Sequence, residues 1–355
     1  MKVAICLDCP QFIPDTRAGE YTRALLETMM ERHPGSGFLY IPPTLDHPAN
    51  PPWNPGPQVR TLNFPSIRPI LPFGRLRNLR KRNFLIRDFE PQIRLGPAPF
   101  GPGRAPFTLL FPDLFFPDLE DPGIRRGARA CEKILCVSDH ARGELLRMAP
   151  GKKVRVVSPA ARPWFHPLSL PERREIKGTH SGGMEYLVCA ENPDPTGFLW
   201  VLKAFSGMKQ KVSTQMKLLF TRIPSGPEEK WRHTLESFHF GPEVILAKGA
   251  QPEAAWIAAA YAMILPPGNP AQPLVLAEAM ACGVPALVSG SGTTPQQSGA
   301  EVLRADTPEE AAVQLTVLYK DEKLRAAMSR HALELAAART WDGTVERIWE
   351  CLEEV

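Results

Sequence analysis

The 355-residue chain is long enough for about two domains. Hydrophobic residues at 43% and charged residues at 23% exclude a disordered or low-complexity chain and allow a sizeable core. The net charge of +4 does not by itself argue for nucleic acid, and no uninterrupted apolar run approaches the ~20 residues of a membrane span.

The opening "KVAICL" reads as a buried strand. Its apolar run stops at Asp8, too short for a signal-peptide core with a cleavage site, so a cytoplasmic protein is expected. "GEYTRALLETMMERH" sets Tyr21, Leu25, Leu26, Met29 and Met30 at helical spacing. From Ile41 to Pro72 the prolines crowd together, and a second such region runs from Gly96 to Pro106. Both are expected to be loop-rich with short extended pieces, because proline removes an amide donor and blocks helix interiors.

Overlapping the end of the first region is "RPILPFGRLRNLRKRNFLIR", Arg68 to Arg87, with Arg68, Arg75, Arg77, Arg80, Lys81, Arg82 and Arg87 interleaved with apolar residues. Such a basic amphipathic segment suits an anionic membrane surface, or a solvated helix at a domain edge. Nucleic acid is disfavoured, because no recognised binding module accompanies it.

"FTLLF" is a strand, "GARACEKILCVS" runs from a helix end into a strand, "DHARGELLRMA" is a helix with Asp139 near its start, and "KKVRVVSP" is a strand. The first domain is assigned to 1–165. Residues 166–184, with their prolines, charges and glycines, read as a linker. The alternation restarts over 185–335. "EYLVCA", "MKLLFT", "VILA", "AMILPP" and "VPALVS" are strands, and "FLWVLKAFSGM", "EEKWRHTLESF", "PEAAWIAAA" and "PLVLAEAMACG" are helices, the last stopped by Gly283. The chain from Thr307 is largely helical, and a final helix within 336–355 is expected to pack back toward the first domain.

Two α/β units of this kind imply two Rossmann-like doubly wound domains facing across a cleft, with ligands beyond the carboxyl ends of the strands. Seven cysteines are scattered, and "CLDC" is the lone Cys-x-x-Cys. With no second pair or histidines at zinc spacing, they read as reduced thiols and no metal site is expected.

Five blocks occur in order at the spacing of a known family: "AGEYTRALLETMMERHP", "ILCVSDHARGELL" with "VRVV", "YLVCAENPDPTGFLWVLKAF", "LAEAMACGVPALVSGSGTTPQQSG" and "RTWDGTVERIWECL". The chain resembles a family 4 retaining glycosyltransferase of the GT-B fold over nearly its whole length. The resemblance implies a metal-independent hexosyltransferase of glycan or polysaccharide synthesis, taking a UDP- or GDP-sugar and a glycan acceptor. It places a diphosphate at a helix N-terminus and beside an Arg–Lys pair. It also implies two glutamates with seven residues between them, for sugar and ribose, a glycine loop and a histidine from the first domain.

Carried over residue by residue, the match is uneven. The ribose glutamate corresponds to Glu278, but the sugar glutamate to Pro270. The phosphate arginine and lysine correspond to Glu191 and Thr196, with Asn192 beside them, and the histidine to Pro112, although Asp113 and Leu114 match. In the glycine loop Gly19 matches while Arg17 replaces the other glycine, and Gln296 stands for a further glutamate.

The donor candidates are therefore Gly19, Arg17, Asn192, Glu278, Arg222 and Lys248, the last two as replacement cations. The acceptor-side candidates are Asp113, Arg77, Arg80 and Lys81. Each lost charge-assisted contact to a diphosphate costs roughly 1.5–3 kcal/mol, so ordinary activity is expected to be weak or lost. The alternative is a non-catalytic shell that binds or assembles with an active glycosyltransferase. On either reading, 68–87 is the segment expected to make any peripheral contact with the inner face of the membrane. Arg17 and Glu191 are expected to form a charge exchange across the cleft, unless Arg17 points to solvent.

Overall fold

A computed structural model describes residues 1–6, 17–41, 59–61, 93–96, 107–115, 119, 121–224, 226–247, 252–268, 272–289 and 302–354. The chain divides into two compact units, 1–158 with 342–355, and 159–341.

The first unit is built on a seven-stranded sheet. Its strands are β1 (Lys2–Cys6), β2 (Gly37–Ile41), β3 (Val59–Thr61), β4 (Ile93–Gly96), β5 (Phe107–Leu110), β6 (Lys133–Cys136) and β7 (Lys153–Val156). They lie in the order β3-β2-β1-β4-β5-β6-β7, and every described pairing is parallel. β5 and β6 are buried at all their positions, as a parallel sheet covered on both faces requires. Helices α1 (Arg17–Arg32), α2 (Pro112–Phe115), α3 (Pro122–Ala130) and α4 (Asp139–Met148) join the strands. The apolar stripe of α1 is buried at Tyr21, Leu25, Leu26, Met29 and Met30.

The C-terminal helix, Trp341–Glu353, packs in this first unit from Asp342 onward. Val345, Ile348, Trp349 and Leu352 form its buried stripe at helical spacing. Trp349 stacks on His33 with ring centroids 3.7 Å apart. Lys133, buried at the start of β6, donates its ammonium to the Cys351 carbonyl, one of the acceptors left over at a helix C-terminus. Glu354 lies 3.8 Å from the same ammonium, and burial pulls the Lys133 pKa down against that attraction.

The second unit has six strands: β8 (Tyr186–Cys189), β9 (Lys217–Phe220), β10 (Val244–Leu246), β11 (Ala262–Leu265), β12 (Ala286–Ser289) and β13 (Val302–Ala305). Their order is β10-β9-β8-β11-β12-β13, again parallel. Its helices are α5 (Leu170–Ser181), α6 (Pro195–Lys211), α7 (Glu228–Ser237), α8 (Glu253–Ala259), α9 (Gln272–Ala281), α10 (Pro308–Lys320) and α11 (Glu322–Ala337).

The two-residue period of a strand divides the core. Tyr186, Val188, Met263, Leu265 and Val288 face a cluster with α8 and α9, while Leu187, Cys189, Ile264 and Leu287 face one with α6 and α10. At Gly207 the helices α6 and α10 approach so closely that an added Cβ would meet the Ala312 methyl at 2.7 Å. Gly283 ends α9 with φ +67°, so the stop expected there has its backbone reason.

The stretch assigned to a linker, 166–184, instead carries α5 and belongs to the second unit. Ser169 and Glu172 form a reciprocal capping box and Pro171 opens the first turn, so the proline is compatible with a helix start. The boundary between units therefore falls at Ser158. Among the described residues Cys131, Cys136, Cys189 and Cys282 are buried free thiols, and no group of metal-ligating side chains is found. No described helix is long and apolar enough to cross a membrane.

Candidate functional site

In the second unit the strand order reverses between β8 and β11, and the loops following these strands are where a ligand of such a sheet binds. The loop after β8 runs from Ala190 to Asp194. Asp194 caps α6, accepting the Gly197 amide at 2.6 Å. A Cβ on Gly197 would meet the Asp194 carboxylate at 3.1 Å and the Pro266 ring at 3.2 Å, so the start of α6 is packed against the residue that follows β11. Glu191 is buried, with 1% exposure, while Asn192 and Thr196 are exposed. This turn therefore holds two carboxylates and a hydroxyl, and it gives an approaching anion no lysine or arginine of its own.

α9 carries the other candidate. Leu274, Val275 and Ala279 anchor it in the core. Glu278 is buried too, and it accepts a hydrogen bond from Arg162 Nε at 2.7 Å. The side chains of this ion pair are 5% and 1% exposed. Arg162 comes from the irregular segment that leads out of the first unit's last strand, and its guanidinium also lies over Trp164 and Phe165, 5.2 and 4.9 Å from the ring centroids. Arg162 escaped the sequence reading; the signal was an arginine inside the apolar run "VVSPAARPWF", where burial demands a partner.

Arg222, expected as a replacement cation, is held at the end of β9 by Glu253, with Nε to Oε1 and a terminal nitrogen to Oε2 both at 3.3 Å. Thr221 donates to the same carboxylate at 2.6 Å. The pair is close to neutral as a unit, so Arg222 does not supply an uncompensated charge. Lys248, Pro270, Gln296, Arg77, Arg80, Lys81 and the whole of 68–87 lie outside the described residues.

In the first unit, Gly19 and Arg17 are buried in the opening turn of α1. Pro112 and Asp113 open α2 directly after β5. The residue before them, Phe111, is buried with φ +47°, a left-handed backbone that a bulky side chain seldom adopts. Asp113 Oδ2 accepts the Val137 amide at 3.0 Å and so ties the end of β5 to the end of β6. Its other oxygen has no hydrogen-bond partner of normal geometry among the described residues. Burial pushes the Asp113 pKa up to about 7, although the Val137 amide and Ser138 draw it back. Asp113, expected on the acceptor side, is thus 8% exposed and serves the strand ends directly.

Residues 186–321 match the family model described as Glycosyl transferases group 1. Solved structures align along the whole chain at low identity. HepE from Anabaena, solved in complex with UDP-glucose, is 12% identical with a TM-score of 0.75, covering 100% of both chains. A glycosyltransferase from Rickettsia africae gives 12% and 0.74, covering 99% of this chain and 98% of its own. WaaG, a glycosyltransferase involved in lipopolysaccharide biosynthesis, gives 14% and 0.72, with 99% of each chain covered. The fold is GT-B.

No curated protein sequence matches the chain. The GT-B assignment agrees with the parallel sheets in both units, and the matched family model begins at the first residue of β8 and ends just after α10. It therefore takes in the whole strand-order reversal where Glu191 and Glu278 reside.

Proposed function

We propose that this chain is a glycosyltransferase of the GT-B type whose second unit derives from a nucleotide-sugar site, and in which ordinary hexosyl transfer is weakened or lost. One observation carries the reading. Glu278, the residue that best matches a donor contact, has its carboxylate buried against Arg162 at 2.7 Å. The position taken as the phosphate arginine is a buried glutamate, Glu191. A leaving nucleoside diphosphate gains negative charge in the transition state, and preorganised cations are usually the largest catalytic contribution at such a centre. A buried carboxylate there opposes the reaction instead.

HepE supports the choice of ligand class, since it was solved with UDP-glucose. Retaining transfer, metal independence and a glycan acceptor belong to this reading by family likeness. The test is calorimetry of the whole chain against uridine and guanosine diphosphates and their sugars. Silence at millimolar concentration is expected. Saturable binding of one donor by the unaltered chain overturns the reading. The paired substitution Glu191→Arg with Thr196→Lys is expected to raise affinity for a nucleoside diphosphate at least tenfold, because two charge-assisted contacts return.

A further inference from the structure

We propose that the corner between β5 and α2 is a two-position element: Asp113 holds it bent, and release of that carboxyl lets Phe111 straighten and lengthen β5. The inference concerns the first unit alone and does not rest on the reading of the second.

The hydrogen-bond register sets out the two positions. β5 and β6 run parallel, and the Phe111 amide donates to the Leu135 carbonyl at 2.7 Å. If the parallel ladder continued, the Val137 amide would donate to the Phe111 carbonyl. That amide donates instead to Asp113 Oδ2 at 3.0 Å. The carboxyl thus stands in for a main-chain acceptor that the turn has carried away. The bend itself is strained: Phe111 has φ +47°, and it precedes Pro112, where extended backbone is preferred. An extended Phe111 would relieve that strain and supply the ladder bond from its own carbonyl. By the two-residue period its ring would then fall on the face of Phe107 and Leu109, which is an apolar layer. Strain of this kind persists only where the surroundings enforce it. Here the side chain that enforces it is Asp113.

The carboxyl meets the end of β6 and the start of α4. Ser138 acts on it through its amide and its hydroxyl, and the same hydroxyl oxygen accepts the Ala141 amide at 3.2 Å to cap α4. The Cys136 thiol, pushed up first by burial and then by Asp113, stays neutral beside it. Asp139 and Arg142, in the first turn of α4, act on that thiol with opposite signs, and both are exposed. Burial therefore favours the neutral acid, with a pKa of about 7, and ionisation favours the position in which the carboxyl reaches water. The corner stands at the carboxyl end of the sheet, the edge where a doubly wound domain receives a ligand. Straightening Phe111 would re-aim the turn from Pro112 to Phe115 at that edge.

Crystal structures of Asp113→Ala and Asp113→Asn test the geometry. In Asp113→Ala, Phe111 is expected at negative φ with its carbonyl accepting the Val137 amide. In Asp113→Asn the side-chain carbonyl still accepts that amide, and the bend is expected to stay. Hydrogen exchange followed by mass spectrometry tests the element in solution. In the parent, exchange of the α2 peptide, corrected for the chemical rate, should quicken about tenfold or more from pH 5 to pH 7.5, while the β6 peptide keeps its rate. The window follows from proton counting: a released carboxyl has lost its proton above ~4, and the held one loses it only near 7. Asp113→Asn should abolish the pH dependence.

An Asp113→Ala structure that keeps Phe111 left-handed overturns the proposal. So does α2 exchange that ignores pH, or that quickens equally throughout the first unit. If Asp113→Ala does not fold, the exchange of the parent and of Asp113→Asn decides.

Discussion

Replacing Asp113 by asparagine should stabilise the first unit at neutral and alkaline pH. The carboxyl is 8% exposed, and burial raises its pKa from an ordinary 3.8 to about 7. The sign follows from proton counting. Between pH ~4 and ~7 the unfolded chain has lost the Asp113 proton while the folded chain keeps it, so the unfolded state binds fewer protons and stability falls as pH rises. The stability linked to the neutral acid is complete below ~4 and lost once the pH passes about 7. Roughly three pH units at ~1.4 kcal/mol each set an upper limit of about 4 kcal/mol for the charge at pH 8.

Asparagine stays neutral, and its carbonyl can still accept the Val137 amide that Oδ2 now accepts at 3.0 Å. Its amino group falls where Oδ1 has no partner of normal geometry, which costs about 1–3 kcal/mol. The net gain at pH 8 is therefore about 1–3 kcal/mol, or roughly 3–10 °C in the melting of a unit this size. Differential scanning calorimetry from pH 4 to pH 9 measures it, and it separates the two units should they melt apart. The gain must shrink as the pH falls, pass through zero between about pH 4.5 and 6, and become a loss of about 1–3 kcal/mol near pH 4. A gain independent of pH, or an asparagine variant less stable than the parent at pH 8, refutes the argument that burial of the charge is the dominant effect.

Glu278→Ala leaves Arg162 buried without its carboxylate and should cost about 3–5 kcal/mol in urea denaturation of the second unit. Gly207→Ala sets two opposed effects against each other. Helix propensity favours alanine by about 1 kcal/mol, but contact with the Ala312 methyl at 2.7 Å forces α6 from α10 at a cost of about 1–3 kcal/mol, so a lower melting temperature is expected. Lys133→Met keeps most of the buried stem and deletes the ammonium that serves the Cys351 carbonyl. The C-terminal helix should then be cleaved faster in limited proteolysis, with the rest of the first unit intact.

How much of this was legible in the sequence depends on how far each signal lies from its cause. "FTLLF", "YLVCA" and "AMILPP" announce buried parallel strands because both faces must be apolar, and β5, β8 and β11 stand there. β2 and β4 were harder. "GFLYI" follows a turn and runs into the proline-rich stretch, and "IRLG" is a short strand between Pro91 and Pro97 with an arginine inside it. α5 hides behind its prolines and glycines although the sequence carries its capping box, Ser169 with Glu172, because Pro171 opens the helix rather than breaking it.

The candidate site shows the harder limit. Local patterning finds the loop after β8 and the helix α9, since both follow buried strands. It cannot find the partner of Glu278, which is 116 residues away along the chain, nor the partner of Arg222, 31 residues on. Both unexpected pairings join a cation to a carboxylate. The consequence is chemical: on the proposed reading, a unit derived from an anionic-donor site has directed two of its arginines to its own acids. A nucleoside diphosphate must compete with Glu278 and Glu253 for those guanidinium groups before it gains from either, and each contest leaves a displaced carboxylate in a partly dehydrated place. Salt offers a check on this. If internal carboxylates hold these cations in buried pairs, raising ionic strength from 0.05 to 0.5 M should leave the second unit's melting temperature nearly unchanged, since such pairs are screened far less than exposed ones. A loss of many degrees over that range would mean that the pairs are open to solvent, and that the arginines are within reach of a phosphate after all.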